Sequence, residues 1–164
     1  MTWLLTFNCY GTHLPGDAQG SVERARAGRG RFIEPSPSLE SHSAHLQSAP
    51  TYSLSSGTAH LVLNEIRRTC DFRGWPLLAA HVRSTHAHVV VAGIINPDHA
   101  LGEFKAYASR ILNRHEGMRS RWERGGSTRS LRDAEAIQSA IRYVADAGHP
   151  MALYVAPERA VEKV

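Results

Sequence analysis

Two histidines separated by one residue are the chemically most informative feature of this chain. His86 and His88 lie in the segment THAHVVVAG, which continues into a β-branched apolar run typical of a strand. Side chains on a strand alternate between its faces, so both imidazoles point to one face, roughly 6.5–7 Å apart along the backbone. Two neutral imidazoles so placed can bind one divalent cation such as Mg²⁺ or Mn²⁺. Two hydrogen-bonded histidines at a strand start are the alternative that the pair alone leaves open.

A tyrosine on a predicted helix is the second candidate for chemistry. Tyr143 lies in AIQSAIRYVADAGHP, about 120° around the helical wheel from the apolar stripe of Ile137, Ile141 and Val144. That position is the border of the buried face, where a tyrosine with its hydroxyl in water is common. The sharper interpretation is a nucleophile acting on a metal-polarised phosphate. Tyr107 lies similarly on another predicted helix, so the wheel does not choose between them.

Two arginine-rich segments indicate a surface that binds phosphates. Arginine suits bidentate phosphate contacts, and an interleaved aromatic side chain can stack on unpaired bases. We therefore interpret these segments as binding single-stranded or hairpin DNA, with solvated loops as the alternative. The candidate DNA-binding residues are Arg24, Arg26, Arg29, Arg31, Lys105, Arg119, Arg121, Trp122, Arg124 and Arg129.

The composition is that of an ordinary globular protein. At 164 residues and 42% hydrophobic content we expect one domain covering residues 1–164. The chain has 19 Lys and Arg against 15 Asp and Glu, a net charge of +4 that is compatible with nucleic-acid binding but does not establish it.

Several classes of protein are disfavoured by the same sequence. No stretch approaches the ~18–20 apolar residues of a membrane span, and we interpret the first residues as a strand, not a signal peptide. Cys9 and Cys70 lack the spacing of a thiolate metal site or a disulfide framework, which fits the cytoplasm.

Hydrophobic periodicity predicts the elements that position these residues. We expect strands at 3–9, 75–82, 86–93 and 152–155, a further strand within 117–132, and helices at 59–70, 97–113 and 133–147. Residues 20–56 are rich in Arg, Gly, Ser and Pro and are predicted to be a long irregular loop. The order of elements predicts an α+β fold with a ferredoxin-like, split β-α-β core: a central antiparallel sheet with helices packed on it.

Five segments together resemble a known family. They are WLLTFNCYGTHLPGDAQGSV, HVRSTHAHVVVAG, FKAYASRILN, RWERGGSTRSL and AIRYVADAGHPMALY. In this order they resemble the REP-associated tyrosine transposases, which belong to the one-tyrosine HUH superfamily of bacterial insertion sequences. The resemblance spans nearly the whole chain except residues 22–56.

The resemblance implies a fold, a reaction and partners. It implies an HUH nuclease fold in which His86 and His88 bind a divalent metal and Tyr143 attacks a single-stranded DNA phosphate. The products would be a 5′-phosphotyrosine link and a free 3′-hydroxyl, and the reverse attack would rejoin strands. The implied partner is a DNA hairpin of the REP type, and no membrane is involved. The implied location is the nucleoid in a bacterial cytoplasm. A homodimer that exchanges the tyrosine between chains is compatible with the family.

The third metal ligand is where this sequence departs from the family. Relatives usually carry a polar residue, often Gln, about one turn after the tyrosine, whereas Ala147 and Gly148 occupy much of that region here. Asp146 and His149 are the substitutes we consider. If neither reaches the metal, a domesticated DNA hairpin-binding protein without catalytic activity becomes the alternative function, and a plain globular domain with hydrogen-bonded histidines is a further one.

Overall fold

The computed structural model describes residues 1–16, 18, 21–23, 31–146 and 148–161. The strands are β1 Thr2–Asn8, β2 Ser21–Glu23, β3 Arg31–Ile33, β4 Leu77–Val82, β5 His86–Ala92, β6 Ser127–Leu131 and β7 Ala152–Val155. The helices are α1 Pro37–His45, α2 Ser56–Arg73, α3 Pro97–Glu116, α4 Ala134–Asp146 and α5 Glu158–Val161.

The central sheet has five strands in the order β6-β1-β5-β4-β7, and every neighbouring pair is antiparallel. The succession β1-α2-β4-β5-α3-β6 is a β-α-β-β-α-β unit with β1 and β5 at its centre, which is the ferredoxin-like arrangement. The predicted α+β fold with an antiparallel sheet is therefore confirmed. Strand β7 extends the sheet beyond β4, and α4 precedes it in the chain.

The two faces of the sheet are covered by different helices. On one face, α2 and α3 pack over a core that includes Phe7, Val89 and Phe104. On the other face, α4 packs over a smaller cluster that includes Val90 and Val144. Because side chains alternate along β5, its even-numbered residues point toward α4, and these include both histidines of the HxH pair.

Local sequence signals explain where the helices begin and end. Ser55 and Thr58 form a capping box at the start of α2, and Gly74 ends that helix in the left-handed conformation. Asn96 caps α3, which includes Gly102 and continues to Glu116, where Gly117 forms the C-cap. At α4, the Asp133 carboxylate accepts the backbone N–H of Ala136 at 2.7 Å.

The prediction that residues 20–56 form an irregular loop is wrong in part. The segment contains the β2–β3 hairpin and helix α1, which Ser36 caps and Pro37 begins. Helix α1 buries none of its residues, so it has no apolar periodicity from which it could have been predicted. Beyond α1 the chain docks on the core through the buried side chains of Tyr52 and Leu54.

The structure bears on the predictions about membrane spans and cysteines. No helix in the described part of the chain is long and apolar enough to cross a bilayer. Cys9 and Cys70 are both buried free thiols, and burial raises the pKa of each to about 12.

Candidate metal and nucleophile site

Strand pairing brings a third histidine to the HxH pair. His81 on β4 lies directly opposite His88 on β5, and Thr6 on β1 lies opposite His88 from the other side. One ligand atom from each of His81, His86 and His88 can be chosen so that all three lie within 4.8 Å of one another. Sequence reasoning missed His81. The signal that could have found it is the short connection of residues 83–85 between β4 and β5, because a short hairpin connection restricts the register of the two strands.

The surroundings of His81 fix which of its ring nitrogens is available. Its side chain is fully buried, and its Nδ1–H donates to the carbonyl oxygen of Val144 at 3.0 Å. The lone pair is therefore on Nε2. Among the residues that the structure describes, this Nε2 is one of two buried side-chain nitrogens without a hydrogen-bond partner. Because an unsatisfied buried polar atom costs ~1–3 kcal/mol, a ligand at Nε2 would be stabilising.

The other two histidines have the same pattern of contacts. His88 Nδ1 is hydrogen-bonded to Thr6 Oγ1 at 2.7 Å, and His86 Nδ1 to Thr85 Oγ1 at 3.0 Å. When each Nδ1–H donates to its hydroxyl, Nε2 remains as the ligand atom. Metal-binding histidines in proteins usually donate their second ring N–H in this way.

All three histidines are held in the neutral form. Burial lowers the pKa of His86 to about 4 and that of His88 to about 3, with further lowering from the neighbouring histidines and Arg83. Burial also lowers the pKa of His81. Since neutral imidazole is the form that binds metal, the residues present fit a divalent cation.

Helix α4 places Tyr143 beside these histidines. The centroid of the Tyr143 ring lies 5.4 Å from that of His88, and the side chain is 54% exposed. Its neighbour Val144 is fully buried, so the helix is fixed on the sheet while the phenol remains at its border. Tyr107 is on α3, which packs on the opposite face, and its ring lies 5.0 Å from the Arg110 guanidinium. Of the two candidate tyrosines, the structure brings Tyr143 to the histidines.

This pair of rings lines a groove. It has a volume of about 620 Å³ and runs between β1, β6 and α4. Its lining combines the His88 and Tyr143 rings with the exposed side chain of Arg129 and with small or hydroxylated residues. These smaller residues are Thr6, Ser127, Ala136, Ser139 and Ala140. The groove also has an acidic side, formed by Asp133 and Glu135.

The remaining basic candidates divide into exposed and engaged side chains. Arg119 and Arg124 are exposed, with the Arg119 guanidinium 4.9 Å from the centre of the Tyr52 ring. Lys105 Nζ donates to the carbonyl oxygens of Glu123 and Gly125. Trp122 donates to the Lys105 carbonyl oxygen at 3.1 Å. Lys105 and Trp122 therefore hold residues 122–125 against α3, instead of facing solvent freely.

Arg121 requires a correction to its predicted DNA-binding role. The residue is only 3% exposed, and its guanidinium donates to the Glu116 carboxylate and to the carbonyl oxygens of Leu112 and Gly117. It also lies over the Tyr52 ring, 4.6 Å from the centroid. A guanidinium so enclosed is part of the protein interior and cannot reach a DNA phosphate.

Some sequence candidates cannot be placed at the site. Arg24, Arg26, Arg29 and the side chain of Arg31 lie outside the described residues, as does Ala147. Asp146 is the last residue of α4, and His149 follows it with a left-handed backbone (φ 54°); both are exposed. Neither belongs to the histidine group. Their role as third ligand stays a prediction.

The chain has a structural likeness to a known protein but no match in sequence families. No protein-family model and no curated protein matches this chain. Among solved structures, the chain is similar to a REP-associated tyrosine transposase bound to a REP hairpin, with 14% identity and a TM-score of 0.49. The similarity covers 90% of this chain and 68% of that chain. A likeness at this level supports no conclusion about the chemistry of this chain.

Proposed function

We propose that this protein is a metal-dependent single-stranded DNA endonuclease and strand transferase that acts through a 5′-phosphotyrosine intermediate at DNA hairpins. The observation that carries the proposal is the position of Tyr143, whose ring contacts the ring of His88 in the lining of the groove. A nucleophile, a group of neutral imidazoles and a groove that contains Arg129 are components that such a reaction can use.

The chemistry of the forward step follows from these positions. The Tyr143 oxygen attacks the phosphorus of a DNA phosphodiester, a P–O(Tyr) bond forms and the P–O3′ bond breaks. The phenol proton passes to solvent, which reaches the half-exposed side chain, and the departing 3′-oxygen takes a proton from water. A divalent cation bound by the histidines would stabilise the negative charge on the phosphate oxygens as the reaction proceeds.

The covalent intermediate also accounts for strand transfer. The phosphotyrosine bond conserves the phosphodiester linkage, so a 3′-hydroxyl can attack it and release the Tyr143 phenol. Cleavage and rejoining thus use the same atoms in opposite order, and no external energy source is required.

The basic side chains support DNA as the substrate. Arg129 lines the groove, and Arg119 and Arg124 are exposed on the preceding segment. Arginines bind the phosphate backbone irrespective of base sequence, and their contribution decreases as salt rises. The hairpin form of the substrate and the location in the bacterial nucleoid come from the sequence resemblance.

The proposal can be tested with paired tyrosine variants. A hairpin oligonucleotide with single-stranded flanks, incubated with the protein and Mn²⁺, should give a covalent adduct on a denaturing gel. Tyr143→Phe should abolish the adduct and leave binding intact, whereas Tyr107→Phe should still form it. Adducts from Tyr143→Phe, or cleavage unchanged in EDTA, would count against the mechanism.

A hairpin-binding protein without catalysis is the rival function. It would bind the same oligonucleotide tightly in Mn²⁺ yet give no adduct with either the unmodified chain or the Tyr107→Phe variant. Weak binding that does not depend on salt would remove both functions.

A further inference from the structure

The histidine group contains no carboxylate. His81, His86 and His88 are the metal-competent cluster found in the described part of the chain, and no Asp, Glu or Cys joins them. We propose that His81 completes a three-imidazole centre that selects a borderline first-row transition metal and binds Mg²⁺ poorly. The metal selectivity follows from the three histidines themselves, and its use in catalysis rests on the proposed function.

His81 is assigned as a ligand by its own surroundings. A fully buried imidazole with its Nδ1–H donated to a main-chain carbonyl presents an Nε2 lone pair that must find a partner or remain unsatisfied. The centroid of its ring lies 5.9 Å from that of His86 and 5.2 Å from that of His88. His81 therefore belongs to the same cation site as the other two imidazoles.

The spacing of the three nitrogens suits a small ion. Ligand atoms no more than 4.8 Å apart surround a point within about 2.8 Å of each, against Zn–N bonds of ~2.0–2.1 Å. Small rotations of the rings close that difference. Three protein ligands leave at least one coordination position open, as catalytic metal sites require.

The type of ligand then decides which ion is bound. Mg²⁺ dehydrates reluctantly and prefers carboxylate, phosphate and water oxygens. Imidazole nitrogen suits Zn²⁺, Ni²⁺ and Co²⁺, and affinities at such sites rise along the series from Mn²⁺ toward Cu²⁺. We therefore expect Zn²⁺ and Co²⁺ to bind tightly, Mn²⁺ more weakly and Mg²⁺ weakest.

The test uses Co²⁺ as a spectroscopic probe on the complete, metal-free protein without DNA. One equivalent of Co²⁺ should produce the visible absorption of a low-coordinate site, and a hundredfold excess of Mg²⁺ should leave that spectrum unchanged. The inference is overturned if that excess of Mg²⁺ displaces Co²⁺ and abolishes the spectrum, or if Co²⁺ produces no such spectrum at all. Neither result depends on cleavage, so a protein that binds Co²⁺ but does not cut DNA would refute only the proposed function.

Variants then test the role of His81. His81→Asn should weaken Co²⁺ binding by more than the ~10–100-fold that loss of an outer hydrogen bond typically costs. His60→Asn, at an exposed histidine on α2, should bind as the unmodified chain does. Co²⁺ affinity equal in both variants contradicts the assignment.

A measurement on the unmodified chain avoids any effect of substitution on folding. Each imidazole that binds Co²⁺ gives one exchangeable ring N–H signal that is strongly shifted in the proton NMR spectrum. We expect three such signals. Two signals would show that His81 does not bind the ion.

Discussion

At the residue scale, the hydrogen bonds at Nδ1 decide what the three histidines can do. The Nδ1 atom of His81 is hydrogen-bonded to the Val144 carbonyl oxygen. That of His88 is hydrogen-bonded to the Thr6 hydroxyl, and that of His86 to the Thr85 hydroxyl. The Val144 carbonyl fixes the tautomer of His81, and the two threonine hydroxyls orient the rings of His86 and His88. One ligand atom from each ring lies within 4.8 Å of the others.

Thr6 is the partner whose contribution can be measured most simply. Thr6→Val keeps the shape of the side chain but removes the hydroxyl that contacts His88 at 2.7 Å. We expect a loss of metal affinity of about 10- to 100-fold, measured by calorimetric titration. Thr6→Ser retains the hydroxyl and should stay close to the unmodified affinity. Indistinguishable affinities for the two variants would show that the contact does not orient the ring.

The same histidines should make the metal-free protein sensitive to acid. Burial holds the pKa of His86 at about 4 and of His88 at about 3, whereas both have the ordinary value of 6.5 in the unfolded chain. As pH falls, the unfolded chain therefore binds protons first. We expect the free energy of unfolding in EDTA to be highest above about pH 6.5 and to decrease toward pH 4, as measured by urea unfolding.

A double variant provides the control for this pH dependence. His86→Asn combined with His88→Asn removes both groups, so its free energy of unfolding should change less over the same interval. An equal decrease in the two proteins would place the origin of acid sensitivity elsewhere.

At the element scale, the β4–β5 hairpin and helix α4 assemble the site. The hairpin brings His81 to the HxH pair, and α4 brings Tyr143 to His88. The sequence predicted the existence of both elements and most of their bounds, because periods of 2 and 3.6 in the apolar residues were regular. The apolar period did not predict the register that pairs His81 with His88, because the connection between the strands sets the register and the period does not.

The choice between two tyrosines also required elements to be packed. Tyr107 and Tyr143 occupy similar positions on their helical wheels, but α3 and α4 cover opposite faces of the sheet. The connections between a helix and its neighbouring strands decide which face of the sheet it covers, and the apolar period within the helix does not predict this.

Strand β6 contributes the basic side of the groove, and its arginine can be tested against a matched control. Arg129→Gln should weaken binding of a single-stranded oligonucleotide several-fold and reduce the slope of log affinity against log salt by about 0.7. Arg110→Gln makes the same charge change at an exposed position on α3, so its effect should be small. If the two variants weaken binding equally, the net charge of the protein and not the groove determines the affinity for DNA.

At the scale of the whole molecule, one face of the sheet carries the larger core and the other carries the candidate site. The core under α2 and α3 is the larger, while the α4 face contains the histidines, Tyr143 and the groove. The sequence predicted this α+β architecture from the order of its elements. It did not predict that Arg121, which resembles its exposed neighbours in the same basic segment, would be buried.

Arg121 joins distant parts of the chain and should therefore affect global stability. It links the end of α3 to Tyr52, and its guanidinium is almost completely enclosed. Arg121→Ala should lower the free energy of unfolding by about 3 kcal/mol, because it removes an enclosed guanidinium that donates to the Glu116 carboxylate and to the carbonyl oxygens of Leu112 and Gly117. Arg119→Ala, which removes an exposed guanidinium from the same tyrosine, should cost less than about 1 kcal/mol. Equal losses in urea unfolding would contradict the structural role of Arg121.

The central claim is that Tyr143 is the nucleophile, and peptide mapping of the covalent adduct tests it most directly. The protein is incubated with Mn²⁺ and a hairpin oligonucleotide, the DNA is digested, and the modified peptide is identified by mass spectrometry. The chain has 5 tyrosines, of which we expect Tyr143 to carry the phosphonucleotide. An adduct on Tyr10, Tyr52, Tyr107 or Tyr154 instead, or cleavage without any modified tyrosine, would contradict the proposed mechanism.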